Sequence, residues 1–177
     1  MKEAAEQASS QDHGSSRLGR WWWLAIAVIW AASIFVTSCY VIRPHEFFAL
    51  VEDWGLIDTA KMAEFRIFWG IWWFTIVKGW HFTEFALLTL FLAWGTKACF
   101  PKSGQWSILV AMLLGFMYAA GDEWHQTFIP DRHGNVTDVL IDSLGVLTTT
   151  VILIVRSRRR SAEEGAASSI SLPNQVR

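Results

Sequence analysis

With 177 residues the chain has room for one domain, and its apolar residues, 53% of the total with 12 Trp and 12 Phe, set its class. Mean hydropathy is only +0.28 because polar ends flank an apolar middle, and a net charge of −1 points to no nucleic-acid partner. Two cysteines make no disulfide framework or thiol-metal motif, and the glycines show neither phosphate-loop nor dinucleotide spacing, so nothing supports a soluble nucleotide site.

Residues 1–20, rich in Ser, Ala, Gln and Glu, lack the apolar content to fold alone and are expected to form a disordered cytoplasmic arm. Arg17 and Arg20 stop the chain at the membrane, and Trp21, Trp22 and Trp23 suit the headgroup region. Residues 21–42, interrupted only by Ser33, Thr37 and Ser38, are long enough to cross the bilayer as a first helix. Residues 43–78 carry Glu46, Glu52, Asp53, Asp58, Lys61, Glu64 and Arg66 and are too charged to cross. Within them, residues 65–77 are almost wholly apolar and hold Trp69, Trp72 and Trp73, but about 13 residues are too few to span. An interfacial or re-entrant helix is expected there.

Residues 81–100, 106–128 and 136–155 supply the second, third and fourth spans, with the Pro101 to Gly104 turn between the second and third. The run RSRRR then opens a basic, disordered cytoplasmic tail over residues 156–177. The expected fold is an all-α integral membrane bundle of four transmembrane helices, plus the Trp-rich helix, occupying residues 21–155. Lys2, Arg17, Arg20, Lys97, Lys102, Arg156, Arg158, Arg159, Arg160 and Arg177 fall on one side, against Arg43, Lys61, Arg66, Lys78 and Arg132 on the other. That bias places both termini in the cytoplasm of a multi-pass protein of the cell membrane.

Polar residues converge on the opposite, outer side. His81 and Glu84 open the second span, Asp122, Glu123 and Gln126 close the third, and Asp138 and Asp142 open the fourth, with Arg132 in the loop between. Asp122 to Gln126 and Asp138 to Asp142 are i,i+4 pairs and His81 to Glu84 is i,i+3, so each pair shares a helix face. The cytoplasmic halves, residues 24–34, 87–94, 108–115 and 147–155, contain no ionisable group. A carboxylate facing hydrocarbon costs at least a few kcal/mol, so these faces are expected to turn toward one another around an outward-open polar pocket. Crowded carboxylates disfavour simultaneous ionisation, which suits one of them for acid or base work. The same oxygens beside a His suit a divalent cation equally well. A purely structural network competes with both: Asp138 and Asp142 as helix caps, Arg132 as a neutralising charge, and His125 and His133 facing solvent.

These residues resemble the VanZ-like family, small bacterial integral membrane proteins related to a protein associated with low-level resistance to the glycopeptide teicoplanin. The marks are Lys78 and His81 with Phe82 and Glu84, then Asp122, Glu123, Gln126, Pro130, Arg132, Asp138, Asp142 and Gly145. Two positions depart from the family pattern: Asp131 stands where a glycine is common and Asp142 where an asparagine is common. The resemblance implies a cell-envelope connection and no settled reaction. If the site is catalytic, Glu123, Asp122 and His81 are the candidate catalytic residues, with Glu123 as acid/base and Gln126 orienting it. Arg132 would meet an anionic headgroup, and Glu84, Asp138 and Asp142 would complete binding, hold a cation or position Arg132. The ligand would be a membrane lipid or a lipid-linked envelope precursor. A non-enzymatic binder or mask of the antibiotic's target, working through the outer loop and Trp69, Trp72 and Trp73, is the alternative; solute movement is disfavoured by the apolar cytoplasmic halves.

Overall fold

A computed structural model describes residues 21–170, with side chains through residue 167. The expected arm at residues 1–20 lies outside the described residues, as does the end of the tail. Among the described residues there are helices and no strand. They are α1 (Trp21–Ser38), α2 (Pro44–Asp53), α3 (Met62–Cys99), α4 (Trp106–Gln126) and α5 (Val136–Ile170), with short 3-10 turns at Thr59–Lys61 and Pro101–Ser103. Three segments are long and apolar enough to cross a membrane: Trp21–Ser38, Thr59–Cys99 and Val136–Ala167.

The boundaries differ most from the sequence reading in three places. The first helix ends at Ser38, four residues short of the apolar run. The Trp-rich stretch is no separate helix: it is the first half of α3, which runs unbroken for 38 residues, about 57 Å at 1.5 Å per residue. The sequence reading ends the charged connection at Lys78 and starts the second span at His81, with Gly79 between them. Lys78 finds a partner inside the bundle, however, and a helical glycine costs only about 1 kcal/mol relative to alanine. The helix stops where Pro101 forbids its continuation, just past the C-cap Phe100. Third, α5 continues through Arg156 to Ile170 where a disordered tail was expected. Arg, Ala and Glu are strong helix formers, and Arg160 pairs with Glu164 one turn on at 3.0 Å.

α3 is central, packing against both α4 and α5, which also pack on each other. The core is Ile34, Phe85, Leu88, Ala119 and Val146, with Trp30, Met112 and Phe116 around it. α1 docks through polar handles on long aromatic side chains: Trp30 Nε1–H donates to the Glu84 backbone oxygen at 2.9 Å, and Tyr118 Oη–H to that of Ala31 at 2.5 Å. α2 begins at Pro44 and lays Phe47 on Trp69 of the first half of α3, ring centroids 4.4 Å apart. Gly145 decides the fit of α5 on α3, because a Cβ there would lie 2.2 Å from the Phe82 backbone oxygen. Thr149 Oγ1–H, one turn further, donates to the Ala86 oxygen at 3.0 Å.

Candidate functional site

The polar residues meet in one layer across the ends of α1 and α4, the start of α5 and the middle of α3. Asp122, Glu123 and Gln126 are buried together in the last turns of α4. Gln126 Nε2 donates to Asp122 Oδ2 at 2.8 Å and to Glu123 Oε1 at 3.0 Å, so the amide bridges the two acids. Ser38 Oγ–H, at the end of α1, donates to the same Asp122 oxygen at 2.9 Å. Glu123 Oε2 accepts the Asn135 backbone N–H at 2.9 Å, fixing the loop that leads into α5. That return is tight: a Cβ on Gly134 would sit 2.1 Å from the Glu123 backbone oxygen.

On the α3–α5 side, Lys78 Nζ donates to Asp138 Oδ1 at 2.6 Å in a mostly buried ion pair. Asp138 is therefore no helix cap. Asn135 performs that task, its Oδ1 accepting the Thr137 N–H at 3.0 Å. One turn deeper, His81 Nδ1 lies 3.5 Å from Asp142 Oδ1. Asp142 is 0% exposed, and neither of its carboxylate oxygens has a hydrogen-bond partner among the described residues. Asp122 Oδ1 and His81 Nδ1 are likewise buried without a hydrogen bond. Glu84 is buried in the same stretch of α3.

Arg132 does not meet Asp138 or Asp142. It donates to the backbone oxygens of Ser38 and Thr37, at 2.5 and 3.3 Å, capping the C-terminal end of α1 where carbonyls lack helical partners. Asp131 adopts a left-handed conformation (φ 64°), which explains why glycine suits this position. Its carboxylate pairs with Arg43 at 2.7 Å on an exposed surface. His133 is exposed as expected. His125 is not: its ring rests on Phe35, centroids 4.6 Å apart, with Nδ1 buried.

All eight candidate site residues lie in or beside this layer, and six of them fall into three hydrogen-bonded or ion-paired units, Asp122–Gln126–Glu123, Lys78–Asp138 and His81–Asp142, with Glu84 buried beside them and Arg132 on the end of α1. Sequence reasoning missed Lys78 as a site partner, although its position three residues before His81 on the same helix face was a usable signal. The Asn135 contact runs through backbone and left no signal. Among the described residues no group of three or more His, Cys, Asp or Glu converges as a metal site. Two open concavities lie elsewhere, one between Trp23 and Trp94 and one along Trp69, Gly79 and Trp80.

A family model described as VanZ/LLP1 matches residues 21–157, which includes every residue of the layer. No curated protein and no solved structure matches the chain.

Proposed function

The chain belongs to the VanZ/LLP1 family, and on that premise we propose that it is a four-span membrane protein whose polar layer, in the outer leaflet, binds or acts on the headgroup of a lipid-linked envelope component. Helix lengths support the depth. The layer stands 13 residues from Lys97 on α3 and 14 from Arg156 on α5, about 20 Å from the basic rim, against about 30 Å of hydrocarbon. It would thus lie roughly 10 Å below the outer surface, at the height of lipid carbonyls and drawn-in headgroups, with both termini cytoplasmic.

The observation that carries the reading is Asp142. Asp122, Glu123 and Asp138 are each engaged by donors, which makes them a positioning frame. Asp142 is buried with no hydrogen-bond donor on either oxygen among the described residues, and its one cationic neighbour is His81, whose Nδ1 stands 3.5 Å from Oδ1. Burying an unsatisfied carboxylate costs stability, and such expense concentrates at sites kept for function. In this reading His81 and Asp142 are the working pair, and a donor on the ligand, hydroxyl or ammonium, completes the coordination of Asp142. Glu123 holds the loop at Asn135 in place. Arg132 fastens that loop to α1, so its release exposes the layer to the outer leaflet.

The test uses His81→Gln and Asp142→Asn in the full chain, scored by glycopeptide susceptibility of the host and by photo-crosslinking to labelled lipid-linked precursor. Both variants should assemble normally and lose both signals, while Glu123→Gln should lose them only as far as the loop loosens. Intact, fully active Asp142→Asn protein would remove the basis of this assignment. A second reading, a purely structural network, is favoured by the satisfied contacts of Asp122 and Asp138. It predicts that Asp142→Asn changes stability alone.

A further inference from the structure

At the opposite end of the bundle, α1 and α3 enclose an open cleft of about 440 Å³ lined by Trp23, Trp94, Lys97, Ala98 and Pro101. The two indoles meet edge to face, centroids 4.5 Å apart, and Phe91 stacks on Trp23 at 6.5 Å. Gly95 brings the helices together here, since a Cβ would sit 2.7 Å from Leu24 Cδ2; the cleft opens just beyond that close approach. Its walls are aromatic and aliphatic, and its charge is the exposed ammonium of Lys97. Among the described residues no hydrogen bond or ion pair engages the indole N–H of Trp23 or Trp94 or the Lys97 ammonium, so every side-chain polar atom at the mouth is a donor.

The surroundings carry the same sign. Residues 94–107 contain Lys97 and Lys102 and no acid. α5 runs parallel to α3, with Asp138 against Lys78, Asp142 against His81 and Thr149 against Ala86. That register brings Arg156, Arg158 and Arg159 to the level of Lys97, with Arg160 already paired to Glu164. A donor-only mouth carrying Lys97 above apolar walls calls for an anion with a hydrocarbon tail.

We propose that the Trp23–Trp94–Lys97 cleft is a binding site for an anionic phospholipid of the adjacent leaflet, its phosphate on Lys97 and the indole N–H groups and an acyl chain along the aromatic wall. A free phosphate ion would leave that wall unused and meet a single formal charge. A zwitterionic lipid would bring its own cation up against Lys97. The proposal needs the chain to sit in a membrane but not the outer-leaflet activity, so the two fail separately.

The test is lipid retention by the full-length protein purified in mild detergent, read by native mass spectrometry after exposure to phosphatidylglycerol or phosphatidylcholine. Phosphatidylglycerol should be retained preferentially, and Lys97→Gln should weaken that retention by roughly fivefold, the effect of one basic residue at an anionic surface. Trp94→Leu should weaken it similarly, and gives a second route should either variant assemble poorly. Arg159→Gln, outside the cleft, should leave most of the preference intact. Equal retention of both lipids, retention that survives both cleft substitutions, or displacement of phosphatidylglycerol by millimolar inorganic phosphate would each overturn the proposal.

Discussion

Replacing Gly145 by alanine tests the packing that brings His81 to Asp142. The added carbon would lie 2.2 Å from the Phe82 backbone oxygen and 3.1 Å from the Ala86 nitrogen. Ordinary contact requires roughly 3.4 Å or more, so α5 must retreat from α3 by about 1 Å. Backbone stands on both sides of the clash, and no side-chain rotation can relieve it. Overpacking of this kind costs about 1–3 kcal/mol, against about 0.5–1 kcal/mol gained by removing a helical glycine. The net expectation is a loss of roughly 1–2 kcal/mol. The same retreat takes the His81–Asp142 separation, now 3.5 Å, beyond ion-pair reach. Gly121→Ala in α4 is the control: nothing lies within 4 Å of its new carbon, so the propensity gain should appear alone and with opposite sign. Both variants would be unfolded by SDS titration in the same mixed micelles. Gly145→Ala as stable as wild type, with Gly121→Ala raised as expected, would refute the close α3–α5 approach.

Five further substitutions probe the layer and its loop. Lys78→Met should destabilise by about 3–5 kcal/mol, because it strands Asp138 in a poorly solvated place, and Asp138→Leu in the same chain should recover most of it; a coupling below about 0.5 kcal/mol in the double-mutant cycle would deny the pair. Ser38→Ala removes a donor from buried Asp122 and should cost about 1–3 kcal/mol by the same unfolding assay. Arg132→Met should speed amide hydrogen exchange across residues 127–135 and leave α3 protected; unchanged exchange would mean the loop is held by something else. Asp131→Gly relieves a left-handed backbone and sacrifices an exposed ion pair worth about 0–1 kcal/mol, so stability should hold or rise slightly. A clear drop would make the Arg43 contact the true anchor of the loop.

The layer was legible in the sequence because charge in an apolar chain is costly wherever it stands. Once 81–84, 122–126 and 138–142 were placed near the same ends of their helices, there was little else those faces could do but turn inward. What could not be read was the partition. Helical spacing gives a face and not a partner, so Asp138 and Asp142, one turn apart, looked like a joint ligand for a cation or Arg132. The structure sends one to Lys78 and leaves the other beside His81, because Gly145 lets α5 sit so close that neighbouring turns meet different residues of α3. The long α3 was hidden for a related reason. Lys78 looks like the end of a span only while its charge has nowhere to go; paired with Asp138 it becomes an interior residue. The Trp-rich stretch is then simply the same helix carried back toward its N-terminus. Its exposed residues Ile67, Phe68, Ile71, Trp72, Trp73, Phe74 and Ile76 advance by 100° per residue around nearly the whole circumference. An all-round apolar helix suits surrounding lipid better than a single protein face. On the proposed placement in the outer leaflet, it would carry the hydrocarbon boundary past the polar layer and set the Asp142 carboxylate within the bilayer rather than at its edge.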